Sequence, residues 1–102
     1  MYSSHKDYKQ IFKSKMKVKH YTGHRKKVST LDWNSNGEQL ASASHDGTIR
    51  LWSLDNSGLT KRTSFKAHDD IIEEVKWNPV NENILASAST DAIMKIWDTR
   101  VG

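Results

Sequence analysis

Apolar residues in this chain recur at alternate positions in short bursts, the spacing of half-buried strands and not of helices. Bursts run from Val28 to Trp33, Gln39 to Ser44, Thr48 to Ser53, Ile72 to Trp77, Ile84 to Ser89 and Ile93 to Asp98. A poorer one spans Lys61 to Phe65, and KMKVKHY, read as Met16 to Tyr21, alternates well enough for another strand. Asn36-Gly37 and Asp46-Gly47 stand between bursts as hairpin turns, because Gly and Asn or Asp accept the positive φ such turns demand. Residues 3 to 15 differ: Tyr8, Ile11 and Phe12 share one side at helical spacing behind Ser3 or Ser4. That predicts a short amphipathic helix, too short to hold in water unless docked.

The bursts come twice. GH (Gly23, His24), LDW ending at Trp33 and LASASHDGTIRLW ending at Trp52 return as AH (Ala67, His68), VKW ending at Trp77 and ILASASTDAIMKIWD ending at Asp98. Trp33 to Trp77 is 44 positions, whereas Asp46 to Asp91 and Trp52 to Trp97 are 45, placing one extra residue in the Pro79 to Asn83 loop. A repeat of this length with GH and W-D signatures resembles a WD40 propeller blade, over about residues 16 to 100. The resemblance implies an all-β fold: a WD40 β-propeller fragment, two blades of antiparallel four-stranded sheets, the second without its outer strand. Residues 1–15 are expected to form a basic N-terminal arm, 16–58 the first repeat with a preceding closing strand, and 59–102 the second, incomplete repeat.

Composition sharpens this picture. With 102 residues and 35% apolar content there is little for a private core, so two repeats read as a fragment or as a piece that assembles with others. The closing strand, Met16 to Tyr21, could complete the open blade of a neighbouring copy, giving a head-to-tail oligomer. Absence of cysteine excludes disulfides and thiolate metal sites, and no leader or membrane span is apparent, so a soluble intracellular protein is expected. The net charge of +4 is uneven. Residues 1–27 hold nine basic side chains against Asp7 alone, and the remainder is mildly acidic.

Ser, His and Asp together invite comparison with a hydrolase triad. Yet His24, Ser42, Asp46 and Trp52 return as His68, Ser87, Asp91 and Trp97, and catalytic machinery has no reason to occur twice at the folding period. The WD40 resemblance implies instead that each set is a buried hydrogen-bonded tetrad pinning loop to turn. His20 and His24 have metal-like spacing only on a helix, and they fall on a strand and turn. Glycines stand singly, so no phosphate loop is expected. Neither enzyme, metal nor cofactor is expected.

Binding is the function that fits. Lys15, Lys17 and Lys19, continued by Arg25, Lys26 and Lys27, are candidates for salt-sensitive nucleic-acid contact, or are a solvated strand edge. Arg25, Lys26 and Lys27, and at the equivalent place in the second repeat Asp69, Asp70, Glu73 and Glu74, are candidates for partner binding on a blade rim. Trp97, Asp98 and Arg100 match the short WDxR pattern of cullin-4 ligase substrate receptors. The stretches YTGHRKKVSTLDWNSNGEQLASASHDGTIRLWSLD and FKAHDDIIEEVKWNPVNENILASASTDAIMKIWDTRVG resemble the first two blades of the THO/TREX subunit 3 family. Ala67 and Ala92 depart from that family's usual residues. The resemblance implies a nuclear, non-catalytic scaffold in mRNA packaging and export, bound to other subunits of a multiprotein complex. VKWNPVNENILASASTDAIMKIWDTR also resembles histone-chaperone propellers, which carry a longer N-terminal helix than this basic region allows.

Overall fold

The computed structural model describes residues 18–100, and the predicted helix over 3 to 15 lies outside them. Seven strands form among the described residues: β1 (Val28–Trp33), β2 (Gln39–Ser44), β3 (Thr48–Asp55), β4 (Gly58–Lys66), β5 (Ile72–Trp77), β6 (Ile84–Ser89) and β7 (Met94–Asp98). They build two antiparallel sheets, β1-β2-β3-β4 and β5-β6-β7, each in simple sequential order. These are the two blades of a propeller fragment.

Turn chemistry sets the registers. Asn34 is buried and its side-chain oxygen accepts the amides of Glu38 and Gln39, closing the β1–β2 turn in which Gly37 takes φ 74°. Its amide nitrogen donates to the Glu82 carbonyl, so one blade's turn is tied to the next blade's loop. In the second blade the Asn78 side-chain oxygen instead accepts the amides of Val80 and Asn81 inside the loop, and the turn is closed by the Asn78 amide donating to the Ile84 carbonyl. The repeat extends to irregularities: β1 and β5 both carry a register shift, between Val28 and Thr30 and between Ile72 and Glu74.

The core lies between the blades. Ala41, Ala43, Ile49 and Leu51 of the first meet Ile72, Val75, Trp77 and Leu85 of the second, with Phe65 and Trp97 against them. Small alanines on β2 allow close approach, and each fully buried branched side chain contributes about 1.5–3 kcal/mol. Polar groups stitch the seam: the Trp77 indole donates to the Asp32 carbonyl (2.8 Å) and the Trp77 amide to the Asp32 carboxylate (2.9 Å).

Two expectations need correction. The outer strand expected from Lys61 to Phe65 is longer, Gly58–Lys66, because the β3–β4 ladder continues through polar residues to Asp55 and Gly58. Over its described part, Val18 to Tyr21, the strand expected from Met16 is not formed. A strand needs a ladder partner. Here the segment is held by side chains instead, Lys19 donating to the Ser57 carbonyl and the Tyr21 hydroxyl accepting the Leu59 amide.

Candidate functional site

In the second blade, four side chains from four segments meet. The Trp97 indole donates to Ser87 Oγ (2.9 Å), Ser87 lies 2.8 Å from His68 Nε2, and His68 Nδ1 lies 3.0 Å from Asp91 Oδ2. The indole can only donate and the carboxylate can only accept. The serine oxygen therefore accepts the indole N–H, and Nδ1–H donates to the carboxylate. Asp91 caps the turn as well, accepting the Ile93 amide. Burial pushes its carboxyl up, but the Ile93 amide and the His68 ring together hold it below the usual carboxylate range.

The first blade differs by one residue. Trp52 donates to Ser42 (2.9 Å) and Ser42 meets His24 Nε2 (2.8 Å), but His24 Nδ1 stands 3.8 Å from Asp46. The Thr48 hydroxyl fills the gap, 3.2 Å from Nδ1, while donating to the Asp46 carboxylate. Within the tetrad expected of His24, Ser42, Asp46 and Trp52, the link from His24 to Asp46 thus runs through a relay. The second blade has Ile93 at that position and no hydroxyl to offer.

Thr48→Val removes the relay. We expect Asp46 to close directly on His24 and the imidazole pKa to rise, with about 1 kcal/mol lost for the missing bond. Histidine titration followed by NMR reads the first effect and urea unfolding the second.

Electrostatics make this region sensitive to acid. Burial pushes the His24 imidazole down, the Asp46 carboxylate partly offsets that, and Arg50 adds to the lowering. Because the unfolded chain then takes up its proton first, stability falls as pH drops through and below 6.5. Burial pushes the Asp46 carboxyl up but is outweighed by hydrogen bonds from Thr48, Arg25 and Ser44, which bring it to about 2. Its stabilisation is present above 3.8 and disappears as pH falls toward 2. Thermal melts from pH 8 to 3 should therefore decline in two stages, and Thr48→Val should alter both.

Charged rims surround these buried sets. Arg25, Lys26 and Lys27 are exposed on the loop leading into β1, and the Arg25 amide donates to Asp46. Arg25 and Lys26 line a cleft of about 520 Å³ with Arg50 and Lys66. At the matching place in the second blade, Asp69, Asp70, Glu73 and Glu74 are exposed, and Glu74 stands 3.8 Å from Lys76, an open pair of little energetic weight. Of the lysines proposed for nucleic acid, Lys19 lies against the β3–β4 turn, and Lys15 and Lys17 are outside the described residues. Asp98 accepts the Arg100 amide and two of its guanidinium nitrogens, the shortest at 2.7 Å, which hold its carboxyl at about 2. Trp97, Asp98 and Arg100 line one cleft with Phe65.

Sequential antiparallel strands, four in the first sheet and three in the second, with a Trp-Ser-His-Asp set in each repeat define a class. Residues 15–53 and 59–98 match the family model for the WD domain, G-beta repeat, and the chain belongs to the WD40 family. Among relatives, it is 40% identical over 93 positions to THO complex subunit 3 of Arabidopsis thaliana, covering 89% of this chain and 29% of that protein. It is also 33% identical over 108 positions to WD repeat-containing protein AAC3 of Dictyostelium discoideum, covering 87% of this chain and 23% of the relative. The chain thus spans less than a third of the length of these curated relatives. Among the described residues no helix is long and apolar enough to cross a membrane.

Proposed function

We propose that this chain is a non-catalytic protein-interaction scaffold of the THO type, two blades of a nuclear subunit acting in mRNA processing and export. The observation that carries the reading is the 40% identity to THO complex subunit 3 across 89% of the chain. Partners are other subunits of a multiprotein complex, met on the blade rims, with Arg25, Lys26 and Lys27 facing an acidic partner and Asp69, Asp70, Glu73 and Glu74 a basic one. Nucleic-acid contact through Lys19 and its neighbours is secondary.

The lack of catalysis is supported by chemistry. Ser42 and Ser87 are 6% and 2% exposed, and each hydroxyl oxygen accepts an indole N–H, so neither serine is open to a substrate. Pull-down of THO subunits by the tagged chain, set against a histone-tail peptide, tests the reading. Capture of THO subunits that weakens on reversing charge at Arg25 and Lys26 supports it; binding to the peptide alone transfers the chain to the histone-chaperone type.

A further inference from the structure

The two repeats have one cation in common. Arg50 donates to the Gly23 carbonyl (2.7 Å) and stands 6.0 Å over the Trp52 ring, and Lys95 donates to the Ala67 carbonyl (2.7 Å) and stands 5.7 Å over Trp97. That cation pins the entry loop of its blade. The second blade does so with Asp69 and Asp70 at the positions of Arg25 and Lys26, so positive charge at those two positions is not something the blade requires.

Arg25, Lys26, Arg50 and Lys66 nonetheless surround one cleft, of about 520 Å³, with Ser64 on its wall. The carboxylate among the lining residues, Asp46, already accepts the Thr48 amide, the Thr48 hydroxyl and the Arg25 amide. Lys66 donates to the Asp46 carbonyl and Arg50 to that of Gly23, which holds both side chains in place, and an ammonium and a guanidinium carry more donors than these bonds use. Arginine at position 50 is informative as well. A Cβ at Gly23 would strike the Arg50 guanidinium, whereas Ala67 stands beside the slimmer Lys95. Glycine thus lets a flat fork lie against the loop, and a fork matches phosphate oxygens as a point charge does not.

We propose that this cleft receives a phosphorylated side chain of a partner protein, which rests on the reading above that Arg25 and Lys26 face an acidic partner. Further blades leave the loop side of the cleft open: Asp69 and Asp70 hold the equivalent loop positions and stay exposed with the first blade packed before them.

Two features favour a single phosphate over a nucleic-acid strand. Among the described residues no aromatic ring lines the cleft for a base to stack on. The Ala67 and His68 amides bond the Gly47 carbonyl, which brings the Asp69-Asp70 loop close to the cleft, where its carboxylates repel a run of successive phosphates.

The test is fluorescence anisotropy on the 102-residue chain, with a labelled peptide carrying one phosphoserine followed by lysines to suit Asp69 and Asp70. Its unphosphorylated twin, inorganic phosphate and a short single-stranded RNA are the other probes. The phosphopeptide should bind at least about ten-fold more tightly than the twin. Inorganic phosphate should displace it and shift the amide NMR signals of Gly23, Arg25 and Ser64. Arg50→Lys keeps the charge and installs the residue the second blade already uses, yet it should weaken the phosphopeptide about ten-fold, as should Arg25→Gln. Lys61→Gln, at an exposed lysine outside the cleft, should change nothing. Equal affinity for the two peptides, or equal affinity of wild type and Arg50→Lys, overturns the proposal, and RNA that outcompetes the phosphopeptide at the same residues reassigns the cleft to nucleic acid. No phosphopeptide binding alongside intact capture of THO subunits sinks the phosphate site alone; phosphopeptide binding without that capture upholds the site and sinks the THO reading.

Discussion

His68→Ala should lower the unfolding free energy by about 3 kcal/mol, the largest loss expected from any polar substitution in this chain. The ring is 2% exposed and holds two partners at once, Ser87 at 2.8 Å and Asp91 at 3.0 Å. Truncation leaves the Ser87 hydroxyl without its histidine partner and the Asp91 carboxylate with one donor fewer, and opens a cavity at a buried position. A stranded buried polar group costs about 1–3 kcal/mol on its own, so the cavity decides the upper end. His24→Ala should cost less, since Thr48 continues to satisfy Asp46. Paired urea titrations measure the difference; equal losses would mean that the Thr48 relay carries no weight.

Gly47→Ala should be nearly as damaging, by about 3 kcal/mol, for reasons of backbone. Gly47 has φ 81°, a conformation that costs an L-residue about 1–2 kcal/mol, and an added Cβ would strike the His68 carbonyl. That carbonyl cannot retreat freely, because the Ala67 and His68 amides both donate to the Gly47 carbonyl. Gly37 supplies the control: its φ is 74°, yet a Cβ there meets nothing within 4 Å. Gly37→Ala should lose only the conformational part, about 1 kcal/mol. The gap between the two variants isolates the cost of separating the blades, and equal losses would deny any packing role to the Asp46-Gly47 turn.

What could be read from the sequence follows from the repetition. Val28–Trp33, Gln39–Ser44, Ile72–Trp77 and Ile84–Ser89 are recognisable because half-buried strands alternate and because each pattern occurs twice. The outer strand is only partly legible: Gly58–Lys66 is polar along most of its length, and apart from Leu59 and Phe65 its ladder with β3 leaves no apolar pattern. The role of Thr48 is hidden for a related reason. Its counterpart is Ile93, so comparing the repeats hides a residue whose hydroxyl matters in one blade alone. Its signal is the short Asp46-Gly47-Thr48 spacing, which places a hydroxyl two residues from a turn carboxylate. Val18 to Tyr21 alternates like a strand but has no ladder within the described chain, and alternation reports faces, not neighbours.

The Asp32 seam bears on how the chain is made. Synthesis proceeds from the N-terminus, and domains and repeats acquire structure in that order. Asp32 precedes Trp77 in the chain, so the acceptors of this seam are synthesised before their donor, and the seam closes only once the second blade is available. Mutations at Asp32 should consequently reveal themselves less in the first hairpin than in the yield of correctly matured protein.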